Sequence, residues 1–590
     1  MHDEVYDLET YPNCFTACFL PVGSPTGTFF EISERRRDNE ALWNYLVRLH
    51  HAGGRLIGFN NQGFDYPVLH MFLERPSITH EELYAKAQAI IADGKMGNGF
   101  AHQIWRPMIP QIDLMRIWHY DNRAKRTSLK ALEFAMRSPS VQDLPFPPGT
   151  WLTWEQMDTL LHYNGHDVLE TRKFYGKSAE KLELRAELAE TLGADCISWS
   201  DTKIGERFFI RELEAAGVEC FRLNPETGRR EPLQTERPEG VKLADVIFPY
   251  IRFGNPTLAD LLDELKAARI YDTRGKFAIK KTFAGLEISV GCGGMHGARP
   301  RAVVDGCDIL DLDVTSFYPM IAIANRVYPA HLGPIFCDVY KRLLEMRLRL
   351  DKKSPKGKAI KLALNSVFGK SNSDFSCMMD PAYMLAITIN GQLLVLSLAE
   401  YLLTVPGVEL LQINTDGLTI TIPPGERSRV LELADTWSRH TQMPLETADY
   451  SRLWMRDCNN YIAEVGQPGG KLKRKGAYEY ERDWHQDHGA LVIPKAAEAA
   501  MVRGEDPAAF IAAHVERDPW DFLKRIKIGA GSHLLLDDGR KLTGLVRYYV
   551  SETGHAAIKK MPASTTRNTP YTSASANACA IQRGWEWADA

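Results

Sequence analysis

The sequence predicts a multidomain α+β protein, and three observations carry that prediction. The chain has 590 residues, past the ~250–300 at which one core stops growing, so roughly three to five domains are expected. Residues 1–180 mix strand-like pieces with helical ones, which predicts an α/β domain. Farther on, strand-like runs and a charged helical stretch are grouped rather than alternating.

The elements follow in order. VYDLET and RLIGFN read as strands, and ALWNYLVRLHHAG and EELYAKAQAIIADG as helices. KSAEKLELRAELAETLG and TKIGERFFIRELEAAG are helical, and NPETGRREPLQTERPEG, rich in proline and charge, reads as an exposed loop. FAGLEISVGCGGMHG and DILDLDV read as strands. Residues 340–370 predict a helical hairpin broken near SPKG. LQINTDGLTI predicts a β-hairpin with Asp416 in its turn. The last ~110 residues are less patterned.

Composition excludes some classes. Hydrophobic residues make up 44% and charged residues 25%, as in a soluble globular protein. The net charge of −4 rules out a generally basic nucleic-acid coat, so a polyanion site must come from local clusters. Of ten cysteines only Cys14 and Cys18 lie close together, and no CxxC pair exists, so neither a zinc site nor a disulfide framework is expected. Reduced thiols and a cytoplasmic location are expected instead. MHDEVYDLET lacks the pattern of a secretory signal. No uninterrupted apolar run of ~18 residues is found, so no membrane span is expected.

Asp7 and Glu9 lie two apart in VYDLET, so on a strand both carboxylates project from one face. Two adjacent acids are costly unless a cation sits between them, and hard oxygen ligands suit Mg²⁺ or Mn²⁺. Solvated strand faces often carry acids as well. Tyr163 precedes Asp167 by four residues, so on a helix the two share a face. The three stretches DLET, NQGFD and YNGHD, in that order, resemble the three motifs of DEDDy-type 3′–5′ exonucleases. The resemblance implies an RNase H-like domain in which Asp7, Glu9, Asp65 and Asp167 hold two metal ions. It also implies that Tyr163 orients the attacking water and that Asn61 and Phe64 hold a frayed 3′ end. Lys130, in TSLKALEF, resembles a family lysine near the scissile phosphate; the alternative is a solvated helix lysine.

A second set of motifs follows. CDILDLDVTSFYP resembles motif A of family B DNA polymerases, with Asp313 as metal ligand. The resemblance adds Val314 to the metal site and Ser316 to the nucleotide site, and places Tyr318 beneath the incoming sugar. Asp311 is expected to be a solvated or hydrogen-bonded neighbour. KLALNSVFG resembles motif B. Lys361, Asn365 and Phe368 share a helix face there, with Phe368 where the family usually has Tyr. Residues 341–361 carry nine Lys or Arg against two acids. Among Arg347, Arg349, Lys352 and Lys358 a second triphosphate ligand is not singled out. NTDG resembles motif C, with Asp416 as the indispensable ligand and Asn414 replacing the first Asp. VGCGGMHG, with Gly293 and Gly294, stands where the family has YxGG, and Gly291 replaces the Tyr. Thr388 and Gly391 resemble a TxxGR element with Gln392 for Arg. Tyr461, Lys473 and Lys475 resemble elements that hold the DNA backbone, with Asn459 replacing a Lys.

Together the motifs span about residues 5–483. They imply an exonuclease domain (1–180), a connecting region (181–290), palm (291–340), fingers (341–370), second palm part (371–480), and thumb and C-terminal region (481–590). VRYYVSETGHAAIKKMP is assigned to the thumb without a motif. Two Mg²⁺ ions per active site, replaceable by Mn²⁺, are implied as cofactors. Primer–template DNA and deoxynucleoside triphosphates are implied as partners of a monomer. The chain looks like a phage replicase. Its A-to-B and B-to-C intervals are 48 and 55 residues, too short for the insertions of protein-primed members. It is therefore expected to need a helicase and a single-strand-binding protein. Two other readings stay open: a DNA-binding scaffold on a degenerate polymerase, and a processing exonuclease whose second half only grips DNA.

Overall fold

The computed structural model describes residues 2–528, 532–536, 539–555, 558–561, 571–572 and 579–582, and side chains as far as 549. The chain forms two compact units. The first comprises residues 1–201, 480–496 and 506–590, and the second residues 202–479 and 497–505. The segment assigned to a thumb thus clusters largely with the N-terminal residues, and parts of it lie outside the described residues.

In the first unit, β1 (Asp3–Tyr11), β2 (Cys14–Pro21), β3 (Thr28–Ser33), β4 (Arg55–Gly58) and β5 (Gln111–Asp113) form one sheet in the order β3-β2-β1-β4-β5. β1–β2 and β2–β3 are antiparallel, while β1–β4 and β4–β5 are parallel. The helices are α1 (Asn39–His51), α2 (Asp65–Glu74), α3 (His80–Lys95), α4 (Leu114–Ile117), α5 (Leu129–Ala135), α6 (Trp154–Lys177) and α7 (Ala179–Leu192). Apolar side chains pack on both sides of the sheet, Phe15, Phe19 and Leu56 in one cluster and Val5, Ile57 and Phe174 in another. α6 begins at a capping box, in which Thr153 and Gln156 satisfy each other's backbone N–H groups. The helix packs against β1 and β2. The C-terminal part of this unit is tied on by Asp521. That buried carboxylate pairs with Arg137 (2.8 Å), Lys495 and His514.

The second unit opens with α8 (Asp201–Ala215). Two short ladders follow, β6 (Phe221–Leu223) with β7 (Arg230–Pro232) and β8 (Val241–Lys242) with β9 (Arg269–Ile270), the second pair flanking α9 (Pro256–Ala267). The main sheet has nine strands. These are β10 (Ala278–Phe283), β11 (Leu286–Gly291), β12 (Met295–Ala298), β13 (Ala302–Val314), β14 (Glu409–Ile413), β15 (Gly417–Ile422), β16 (Leu445–Asp457), β17 (Asn460–Val465) and β18 (Lys471–Lys475). Their order is β10-β11-β12-β14-β15-β13-β16-β17-β18. The helices are α10 (Phe317–Ala324), α11 (Ile335–Arg349), α12 (Pro355–Lys370), α13 (Pro381–Leu402) and α14 (Arg427–Thr441). α11 and α12 are the hairpin the sequence predicts. Ser354 caps α12 and Pro355 opens it, which accounts for the break at SPKG.

α13 is long and apolar enough to cross a membrane, with mean hydropathy 1.6, yet 89% of its apolar window is buried within the protein. Thr388, Asn390 and Gln392 interrupt its apolar run, so no unbroken stretch was visible. Their side chains return hydrogen bonds to backbone carbonyls one turn earlier, at Met384, Ala386 and Thr388. It is a core helix of this unit.

α8 lies directly on α12. A methyl group on Gly205 would overlap the Leu362 carbonyl and stand 2.7 Å from Ser366 Oγ. Gly205→Ala is expected to lower unfolding free energy by about 1–3 kcal/mol, the usual range for overpacking. Urea denaturation followed by far-UV circular dichroism measures it; an unchanged midpoint would show that the two helices part without cost.

Candidate functional site

The first unit gathers the four N-terminal carboxylates. β1 presents Asp7 and Glu9 on one face, and α6 brings Asp167 across to them. One oxygen from each of the three lies within 4.8 Å of the others. Asp65 opens α2 and is buried, and its carboxylate accepts the Leu8 N–H. Asn164 Nδ2 donates to Asp7 Oδ2 (2.8 Å) and so fixes that carboxylate. Tyr163 is buried beside Asp167. The Lys130 ammonium pairs with Asp167 and stands 4.6 Å from the centre of the Tyr163 ring.

This packing is electrostatically costly. Burial, then Asp65, Glu9 and Asp167, hold the Asp7 carboxyl well above its ordinary range. Burial, then Asp167, do the same to Glu9. Burial pushes Asp65 up to about 7. Burial pulls Lys130 down, but the Asp167 and Glu133 carboxylates outweigh it and the ammonium is held charged. A set of clustered, mutually repelling oxygen donors fits divalent cations.

Asn61 is wholly buried and donates to Gln111 Oε1 (2.8 Å), while its own Oδ1 has no hydrogen-bond partner. Phe64 is partly buried against the core. Asn164 and Glu133 were missed. Asn164 stands inside the quoted YNGHD, whereas nothing local marks Glu133.

In the second unit, Asp313 is the penultimate residue of β13 and Asp416 ends the β14–β15 turn. The register pairs Asp313 with Gly417, and the Val314 N–H donates to the Asp416 carbonyl (2.8 Å). Asn414 Oδ1 accepts the N–H groups of Asp416 (3.1 Å) and Gly417 (2.7 Å). Its amide closes the turn as an Asx cap, so Asn in place of Asp retains the turn-forming function. Asp416 is exposed at the tip. Burial, then Asp311, raise Asp313 to about 6.

Asn414 and Asp416 line a cleft of about 670 Å³ together with Gly293, Val314, Ser316, Tyr318, Asn365, Phe368 and Asn459. The Tyr318 and Phe368 rings are 4.1 Å apart between centroids, tilted by 41°. Ser316 adopts a left-handed backbone (φ +52°), a strained conformation for serine, where the chain turns from β13 into α10. A methyl on Gly294 would overlap Thr415 Oγ1, so that glycine lets β12 approach the turn. Lys361 and Asn365 are exposed on α12. Of the four basic residues left open on α11 and α12, Arg347 carries a buried Nη1 with no hydrogen-bond partner.

Thr388 is 1% exposed and its hydroxyl donates to Met384 O. Tyr461 is buried as well. Lys473 is bound inward, donating to Tyr450 Oη (2.8 Å) and Asp311 Oδ2 (3.1 Å), while Lys475 is exposed. Asp311 is buried and also accepts from Thr419 (2.5 Å) and Tyr450. Two substituted positions meet: Gln392 Oε1 accepts the Gly291 N–H (3.0 Å) and its Nε2 donates to Gly291 O (2.8 Å). Gln392 thus adds a second acceptor for the Gly291 N–H, which also donates to Gly294 O (3.2 Å), and gives the Gly291 carbonyl a donor.

Two predictions follow from this geometry. Carboxyls whose folded pKa is raised leave stability intact below pH 4 and remove it as pH rises toward 7. Asp65 and Asp313 are of this kind, and a bound cation reverses the effect. Mg²⁺ should therefore raise the Tm more at pH 8 than at pH 5; equal shifts would contradict the assignment. A methyl on Gly417 would overlap Asp313 Oδ1 and the Leu312 carbonyl. Gly417→Ala should lower unfolding free energy by about 1–3 kcal/mol by displacing the Asp313 carboxylate, read by urea denaturation. A wild-type midpoint in this variant would contradict it.

No protein-family profile matches the chain, and no curated protein matches it in sequence. Among solved structures, the family B DNA polymerase from the hyperthermophilic archaeon Pyrobaculum calidifontis is similar over 97% of this chain and 74% of its own, with 15% identity and a TM-score of 0.43.

Proposed function

We propose that the chain is a template-directed DNA polymerase with a 3′–5′ proofreading exonuclease, acting in phage DNA replication. The observation that carries the reading is the β13–β15 register that sets Asp313 beside the turn bearing Asp416, whose cleft also holds the Tyr318–Phe368 pair. Two carboxylates at adjoining strand ends suit Mg²⁺ or Mn²⁺. Such ions, when bound, lower the pKa of a primer 3′-hydroxyl and stabilise charge in an in-line phosphoryl transfer. The chain supplies the rest. Lys361, and on this reading Arg347, meet the triphosphate. The Tyr318 ring stacks under the sugar and excludes a 2′-hydroxyl by contact.

The Asp7, Glu9, Asp65 and Asp167 cluster supplies hydrolysis of a mispaired 3′ end by the same metal chemistry. Tyr163 positions the water. Exposed Lys475 belongs to the phosphate contacts, which carry affinity rather than sequence specificity. The polymerase works as a cytoplasmic monomer on an ordinary primer, with a helicase and a single-strand-binding protein opening the duplex.

A 5′-labelled primer on a longer template tests this with Mg²⁺, with and without the four deoxynucleotides. Extension with them and stepwise shortening without them are expected. Asp7→Ala with Glu9→Ala should abolish shortening and spare extension, and Asp416→Ala should do the reverse. Shortening alone would make the chain an exonuclease; loss of both activities in either folded variant would contradict separate sites.

A further inference from the structure

Lys130 is held by two carboxylates, and only one belongs to the proposed metal cluster. The other is Glu133, three residues on in α5, whose Oε1 lies 3.3 Å from the ammonium. Glu133 is fully buried. His166 Nε2 stands 3.0 Å from its Oε2. Its Oε1 has no hydrogen-bond partner, because the ammonium is within ion-pair distance but out of line. Buried Arg547 does not fill that place, since its guanidinium donates to the Ser138 (2.7 Å) and Pro139 (2.8 Å) carbonyls.

The ammonium on Asp167 and a divalent cation held by Asp7, Glu9 and Asp167 compete for the same carboxylate. Expelling a lysine into water would strip the buried site of a positive charge that Glu133 also needs. A short swing brings the ammonium into line with Glu133 Oε1 instead. We propose that Glu133 is a positioning residue: it receives the Lys130 ammonium from Asp167 when a divalent cation enters, and returns it when the cation leaves. The Tyr163 ring, 4.6 Å from the ammonium, guides the swing. Lys130 thereby neutralises Asp167 in the metal-free protein and ceases to oppose metal once it binds. This rests on the exonuclease reading.

The test is Mn²⁺ titration followed by electron paramagnetic resonance. Every protein is full length and carries Asp313→Asn and Asp416→Asn, so that the first unit alone is read. Glu133→Gln should weaken Mn²⁺ binding about ten-fold, as loss of an outer-sphere partner does. Lys130→Met should tighten it, and adding Glu133→Gln to Lys130→Met should change nothing further. An unchanged affinity in Glu133→Gln, or the same loss with and without Lys130, overturns the proposal while leaving the metal cluster in place. If Asp7→Asn with Glu9→Gln does not reduce Mn²⁺ binding, the exonuclease reading falls, and the Glu133 role with it.

Discussion

The pairing of Asp313 with Gly417 across β13 and β15 is the constraint on which the second unit's chemistry depends. A one-residue slip in this register would turn Asp313 to the other face of the sheet. Three features prevent it. The Val314 N–H bonds to the Asp416 carbonyl, the Asn414 amide closes the turn, and Gly417 leaves room for the Asp313 carboxylate. Around this point the cleft assembles. Ser316 bends the chain so that α10 brings Tyr318 in, and α12 delivers Phe368 against it.

The two units solve a common electrostatic problem with the same device. Each crowds carboxylates, and each places a lysine on a buried acid of that group. In the first unit it is Lys130 on Asp167, beside Glu133. In the second it is Lys473 on Asp311, two residues from Asp313. The ammonium lowers the repulsion of the metal-free protein without removing the ligands most open to a metal. The difference lies in depth. The first cluster is buried enough that a lysine competes directly with metal. In the second, Asp416 stands exposed at a turn, and burial raises Asp313.

Much of this was legible because strand and helix periodicities fix which residues share a face. Asp7 with Glu9, Tyr163 with Asp167, and Lys361 with Asn365 all follow from spacing alone. What could not be read was burial. Thr388 and Asn61 match polar positions of motifs, yet both are enclosed by packing that no local pattern encodes. The same holds for Lys473, whose inward turn depends on Tyr450 and Asp311 from other strands. Gly291 and Gln392 each look like a loss in the sequence; only the structure shows that they hydrogen-bond to each other. Glu133 was invisible because a glutamate in a short helix reads as a solvent-facing charge. α13 was missed as a long apolar helix because three polar side chains interrupt it while bonding to its own backbone.

The central claim is that the chain carries two separate carboxylate centres that hold divalent metal. Fe²⁺ bound in place of Mg²⁺, with ascorbate and peroxide, cuts the backbone next to the residues that hold it. Mass spectrometry of the fragments should show cuts near residues 7–9, 65 and 167 and a second set near 313 and 416, both suppressed by excess Mg²⁺. Cuts at only one of these places, or at neither, would contradict the account.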